Sequence, residues 1–396
     1  MSREMSSSTT LQRQQSTQTG AGDKVISFWQ AITLIPSTVL AVSILTLPRN
    51  IALATDGSGI SLVVVSGLVP LFIVWMITKL GQRFPGLTVV GYTQKLLTFG
   101  GNKRAGRWLA FPFMVPIVVW WAMSVAMISR IFGEVQRSVV FPQTPLWFMV
   151  GTMLFVSALV ATSKAEVIAR LNEFLFPFIM IPLLLLCLLA LGDAEWTNLL
   201  PLLNMTWGQF WDGVIQGIFA YGGVSIILIA MASYQQPEKA MKAHFIGVGM
   251  VVAVYGFVMI STMSVFSHNE VERLMWPTLE IVKNIRFPGF ILERIESGFL
   301  AIWVAAVFTT LSNLLSATVH LISEYFAIKD NQRIWVLCPI FVIIYAIALW
   351  PEDVYATFQF TEKIQWFGLL APFIIFPVLL LIAGVRRVGN GQSKER

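Results

Sequence analysis

Ten apolar stretches, separated by short polar ones, run along nearly the whole chain. They are Ile26–Ala54, Ile60–Leu80, Trp108–Ile131, Leu146–Ala161, Phe174–Leu191, Trp211–Ala232, His244–Phe266, Phe299–Ser323, Ile334–Trp350 and Ile364–Val385. A hydrocarbon core about 30 Å thick is crossed by a helix of roughly 20 apolar residues. Lipid offers no partners to peptide groups, and a helix satisfies its own. The pattern therefore predicts an all-α integral membrane protein with ten transmembrane helices. Composition agrees, at 56% hydrophobic and 12% charged residues.

The polar ends divide the chain. Residues 1–24 are rich in Ser, Thr and Gln and nearly free of large apolar side chains. Such a segment buries too little surface to offset its chain entropy, so it reads as a disordered cytoplasmic tail. It lacks the leading apolar stretch and small-residue cleavage site of a secretory signal, so the first span is expected to direct its own insertion. One membrane domain covers residues 25–386, and residues 387–396 form a second cytoplasmic tail.

The net charge of +6 raises the question of nucleic acid, but the charges are sorted by side of the membrane. With the N-terminus inside, 19 of the 27 Lys and Arg residues fall in inner segments and 8 in outer ones. The acids lean the other way, with 13 outside and 8 inside. Lys and Arg concentrate on the cytoplasmic side of membrane proteins, which places both termini in the cytoplasm. The partner implied is a lipid bilayer; no nucleic acid is expected.

Cys187 and Cys338 both lie within predicted spans. They read as small apolar packing residues, since no spacing indicates a disulfide framework or a zinc site. No His-Glu-x-x-His or Gly-x-Ser-x-Gly sequence supports intramembrane hydrolysis, and neither enzyme activity nor a cofactor or metal is expected.

Ten spans divide into two groups of five, about 26–191 and 211–385. An odd number per group makes any structural repeat inverted in the membrane. Inverted repeats build secondary transporters, whose sites form at interrupted helices in corresponding positions. The first span carries Pro36 and Pro48 around the stretch Thr38-Val39-Leu40-Ala41-Val42-Ser43. Each proline removes an intrahelical hydrogen bond. The sixth span reads Gly217-Ile218-Phe219-Ala220-Tyr221-Gly222-Gly223-Val224-Ser225, and each glycine weakens a helix by about 1 kcal/mol relative to Ala. Close helix packing or a simple kink would explain either alone. Their matching positions predict a pair of broken helices, one and six. A break leaves peptide N–H groups at one half-helix end and C=O groups at the other, which suits a carboxylate and an ammonium. Sugar or nucleoside hydroxyls could use the same groups.

Ionisable residues within spans are costly and are functional candidates by default. Arg49 follows Pro48. Arg130 and Glu134, and His320 and Glu324, lie four apart at span ends, where an interfacial ion pair is the plain reading and a proton site the alternative for the second pair. Thr309, Ser312, Asn313 and Ser316 share one face of span eight and turn away from lipid. Trp120, Trp121 and Ser124 on span three could flank the same cavity. No span centre holds an acid, which argues against ion-driven pumping. The longest outer loop, Ser267–Ser297, carries Leu279, Glu280, Val282, Lys283, Ile285 and Arg286 in the pattern of a short amphipathic helix lying at the interface.

Several segments resemble one family. They are Ile44-Leu45-Thr46-Leu47-Pro48, Arg83-Phe84-Pro85-Gly86-Leu87-Thr88 with Tyr92, Glu166-Val167-Ile168-Ala169-Arg170-Leu171-Asn172-Glu173, Pro277-Thr278-Leu279-Glu280 and Phe287-Pro288-Gly289-Phe290. In this order, with ten spans, they resemble the endospore germination receptor B-subunit (spore germination permease) family. The resemblance implies the amino acid–polyamine–organocation transporter superfamily and its five-plus-five broken-helix fold. It also implies a subunit of the spore inner membrane that binds a small-molecule germinant and acts with receptor A and C subunits. Signal reception is implied, without catalytic turnover. Val224 and Arg49 depart from the residues expected of the family at those points.

The candidate ligand contacts are Ala41, Val42 and Ser43 on span one, and Phe219, Ala220, Tyr221 and Gly222 on span six. Trp120 and Ser124 on span three and Thr309 and Asn313 on span eight complete the set. An amino acid is the expected germinant. A secondary transporter of amino acids or organic cations, and a scaffold or conduit that binds nothing specific, are the competing readings.

Overall fold

The computed structural model describes residues 25–55, 59–98, 103–200, 204–284 and 295–386. Both expected tails and the Phe287-Pro288-Gly289-Phe290 segment lie outside these residues. Among the described residues the regular structure is all helical, joined by short turns and loops, with one isolated backbone bridge.

The first apolar stretch forms two helices, α1 (Phe28–Val39) and α2 (Ser43–Thr55), bent by 57° across a three-residue gap. Then come α3 (Ile60–Arg83), α4 (Val89–Leu97), α5 (Lys103–Val139), α6 (Leu146–Ala161) and α7 (Ala165–Ala190). The second half opens with another bent span. It comprises α8 (Trp207–Phe219), a 3-10 turn over Gly222–Ile226, the short α9 (Ile227–Ala230) and a closing turn, with a bend of 45°. After it follow α10 (Ala240–Val265), α11 (His268–Arg273), α12 (Pro277–Asn284), α13 (Ile295–Tyr325), α14 (Ile334–Ala348), α15 (Val354–Gly368) and α16 (Phe376–Val385).

Seven described helices are long and apolar enough to cross a membrane, and the two bent pairs bring the number to nine. The tenth expected span is α6. Its 16 residues rise only about 24 Å, short of a straight crossing. It nonetheless runs alongside α5, α13 and α14, and the Tyr345 hydroxyl of α14 donates to the Trp147 carbonyl at its start.

Both bent spans begin alike. Ser27 caps α1 and Thr206 caps α8, each with a Gln three residues on (Gln30, Gln209) that bonds back to the cap. This capping box satisfies peptide N–H groups that a helix start leaves open. The same motif recurs at Ser267 and Glu270, which open α11.

Two boundaries differ from expectation. The last span starts at Val354, ten residues before Ile364, and runs through a π-turn at Ala371–Ile375. Glu362 and Lys363 therefore sit in a helix instead of a loop, and Pro372, which lacks an N–H, occupies the turn. Span seven begins at Ala240, so His244 lies inside it and fully buried. The outer-loop helix α12 also differs. Thr278, Leu279, Ile281 and Val282 are buried, and α12 packs on α2, α7, α10 and α13. The Thr278 hydroxyl donates to the Ile44 carbonyl at 2.7 Å, tying the loop to span one. Ile285 and Arg286 lie outside the described residues.

In this description the near end is the one carrying Ile26, and the far end carries Thr55 and Trp207. The near end is strapped shut. Val25 and Ile26 donate to the Ser233 carbonyl, Gln235 donates to the Ile26 carbonyl, and Ile26 bridges Tyr234.

Candidate functional site

The two breaks face each other in the middle of the bundle. A methyl carbon on Gly223 would stand 2.6 Å from the Thr38 carbonyl oxygen and 2.9 Å from its carbon. Only glycine permits this approach of one broken span to the other.

Each break leaves carbonyl groups that have lost their helical partners. Side chains supply replacements. The Tyr255 hydroxyl on α10 lies 3.1 Å from both the Val39 and the Ala220 carbonyl oxygens, so one group serves both half-helix C-termini. The Trp303 indole donates to Ala41 at 3.0 Å, and the Thr309 and Thr310 hydroxyls donate to Ser37 at 2.9 and 3.2 Å. The N-terminal ends differ. The N–H groups of Val42, Ser43 and Ile44, which open α2, have no acceptor among the described residues. The first break thus keeps its positive end open, while carbonyls at both breaks already hold a donor.

These ends border a cavity of about 520 Å³. Its wall runs from Leu53, Asp212 and Tyr355 at the far end down to Thr38, Gly223, Leu314 and Phe376 beside the breaks. Ala41, Val42, Ser43, Trp120, Ser124, Phe219, Ala220, Tyr221 and Gly222 all line it. Trp120 lies flush against span ten because Gly368 faces it; a methyl there would meet the indole nitrogen at 2.3 Å. The Tyr221 hydroxyl is buried without a hydrogen-bond partner, and its ring meets Tyr255 edge-on at 5.2 Å.

Thr309 and Asn313 are not in the wall, which corrects their expected place as ligand contacts. Thr309 is turned to the Ser37 carbonyl. Asn313 and Asn172 exchange amide hydrogen bonds of 2.8 and 3.0 Å, and Asn313 also donates to the Thr38 hydroxyl at 2.8 Å. Their polar groups hold spans one, five and eight together. Thr310, one residue on, takes the wall position from span eight.

Span ten contributes wall that the sequence reading did not anticipate, including Phe358, Glu362, Gln365 and Trp366. Phe358 and Glu362 precede the expected start of that span at Ile364, whereas Gln365 and Trp366 lie within it and carry no signal of their face. Among the described residues, no three His, Cys, Asp or Glu side chains gather as a metal site.

A profile of proteins described as spore germination protein matches residues 25–354. This chain belongs to the spore germination protein family. Spore germination protein YndE of Bacillus subtilis is 28% identical over 354 residues, covering 89% of this chain and 94% of YndE. Spore germination protein GerLB of Bacillus cereus is 25% identical, covering 94% of this chain and 98% of its own length. The fold is that of solved transporters. MhsT in complex with L-phenylalanine aligns over 92% of this chain and 99% of its own at a TM-score of 0.62 and 13% identity. A mutant of the Eremococcus coleocola manganese transporter aligns over 93% of this chain and 84% of its own at 0.63 and 18%.

The charged pairs of this spore germination protein lie apart from the cavity floor. Arg130 is buried and bonded to Glu134 at 2.8–2.9 Å, so the pair is enclosed by protein and does not snorkel to the interface. His320 and Glu324 separate: His320 meets Arg333 at 2.9 Å, and Glu324 accepts from Thr88 at 2.6 Å. His244 closes the near end. Its ring nitrogens lie 2.8 Å from the Thr78 and Tyr234 hydroxyls. Thr78 donates to the Val74 carbonyl, so Nδ1–H donates to Thr78 and Nε2 accepts from Tyr234.

Proposed function

We propose that the chain is the membrane subunit of a spore germinant receptor and that it binds a small germinant, an amino acid, in the cavity between the two breaks. The observation that carries this reading is the coincidence of family and site. A spore germination protein here has a cavity, open at one end, bordered by open peptide N–H groups and aromatic rings. Trp120, Phe219 and Tyr221 offer an apolar body to a side chain; the start of α2 offers partial positive charge to a carboxylate. Both termini and the strapped near end face the cytoplasm of the spore core, and the far end opens outward through the inner membrane. Occupancy favours one arrangement of the helix groups, and that preference passes to the A and C subunits. The ligand's difference in affinity for the two arrangements limits the shift.

The test uses spores whose sole receptor contains this chain, exposed to separate panels of amino acids, sugars and nucleosides. Germination with an amino acid, lost in Gly223→Trp, is expected. Germination with sugars or nucleosides alone would overturn the amino-acid assignment. The transporter neighbours favour a second reading, secondary active transport of amino acids or organic cations. Gradient-driven accumulation by the purified chain in proteoliposomes would establish that reading in place of the first.

A further inference from the structure

Arg49 stands on the cavity wall without a partner. It lies on the face of α2 that presents Val42, Ser43, Thr46, Asn50 and Leu53 to the cavity, about 9 Å along the helix from Ser43. Its Nε is buried and bonded to nothing, and no carboxylate or carbonyl among the described residues accepts from its guanidinium. The guanidinium lies over the Phe358 ring at 5.6 Å, and Phe358 rests in turn on Trp276 at 5.6 Å. Its plane is thus held while its donors are left open. Asp212 and Glu362 share the same wall, are exposed, and pair with no cation among the described residues.

The occluded Nε is out of a ligand's reach, but the terminal guanidinium N–H groups are not occluded and still need an acceptor. An arginine fork satisfies that need best with a carboxylate, through two parallel charge-assisted bonds. Two facts narrow the ligand. The wall sums to one cation against two acids, so a dianion is repelled at the mouth. The acids are free to meet an ammonium group. From this we infer that Arg49 is the carboxylate-reading residue of the cavity and that its ligand is a zwitterion with one carboxylate. This rests on the cavity being the germinant site. It differs from a carboxylate seated on the N–H groups of α2, which offer only about half a charge against the whole charge of a guanidinium.

The experiment compares acids with amides. The full chain in lipid nanodiscs is titrated with L-alanine, L-valine, L-leucine and L-phenylalanine and with the carboxamide of each, for the unaltered chain, Arg49→Gln and Arg49→Lys. The unaltered chain should prefer acid over amide by about tenfold to a hundredfold, the value of a charge-assisted hydrogen bond. Arg49→Gln should bind acid and amide equally, and Arg49→Lys should keep part of the preference. L-glutamate should bind more weakly than L-leucine. A preference that persists undiminished in Arg49→Gln would place the carboxylate on the peptide N–H groups and overturn the assignment, while the cavity remained the site. Binding of none of the eight compounds to the unaltered chain would remove the amino-acid site itself, and this inference with it. Thermal unfolding of each variant identifies any that misfold. In that case Phe358→Leu, which frees the guanidinium without removing it, should still weaken the acid and spare the amide; equal weakening of both would overturn the assignment.

Discussion

A methyl carbon on Gly223 would stand 2.6 Å from the Thr38 carbonyl oxygen. The obstacle is backbone on the facing broken span, so it cannot rotate away. Gly223→Ala is therefore expected to lower stability by about 1–3 kcal/mol through overpacking. Gly222→Ala should cost less, because its neighbour is the Trp120 ring at 3.2 Å, which can shift. Gly256→Ala faces open space within α10 and should stabilise by up to about 1 kcal/mol. Thermal unfolding of the three purified variants checks the order.

Tyr255 joins the two half-helix C-termini through one hydroxyl. Tyr255→Phe leaves the Val39 and Ala220 carbonyls without that donor, at a cost of about 1–3 kcal/mol. Amide hydrogen exchange should quicken around residues 39–44 and 219–224 and stay unchanged in α6. Uniform change across the bundle would show that the hydroxyl is not specific to the breaks.

The Asn172–Asn313 pair should behave as one unit. Each single change to Ala leaves the other amide's buried oxygen without its donor, while its NH2 keeps the Ile168 carbonyl or the Thr38 hydroxyl, and is expected to cost about 1–3 kcal/mol. The double variant should cost less than the sum by about 1 kcal/mol. Strict additivity in the unfolding free energies would show that the pair contributes nothing as a pair.

Tyr221 separates binding from folding. Its hydroxyl has no partner, so Tyr221→Phe should leave stability unchanged or slightly raised. On the proposed reading, an amino acid that draws this hydroxyl out of its packing by Gly67 into a bond should bind the variant about tenfold more weakly. A parallel loss of stability would mean that the hydroxyl is used by the protein itself.

Much of this architecture is legible in residue order. Apolar length marks the spans, and Pro36, Pro48 and the 217–223 glycines mark the two that break. The limits are equally physical. Asn313 and Thr309 read as cavity polar groups because periodicity fixes a face, while the choice between cavity and neighbouring helix depends on a partner distant in sequence, Asn172 or Ser37. Tyr255 gives no signal, since a tyrosine in an apolar run is indistinguishable from an interface anchor until both carbonyls are in view. Glu362 and Lys363 hid the start of the last span, because charge within a helix that borders a water-accessible cavity looks like loop. Arg49 drew notice as an exception, and its meaning needed the Phe358 ring opposite.

The strap formed by Val25 and Ile26 across Ser233, Tyr234 and Gln235 seals one end of the molecule, while the other holds an open mouth. In this state the protein is a cup and not a tunnel. A solute that settles in it meets that seam below, and unfastening the seam would turn the cup into a conduit.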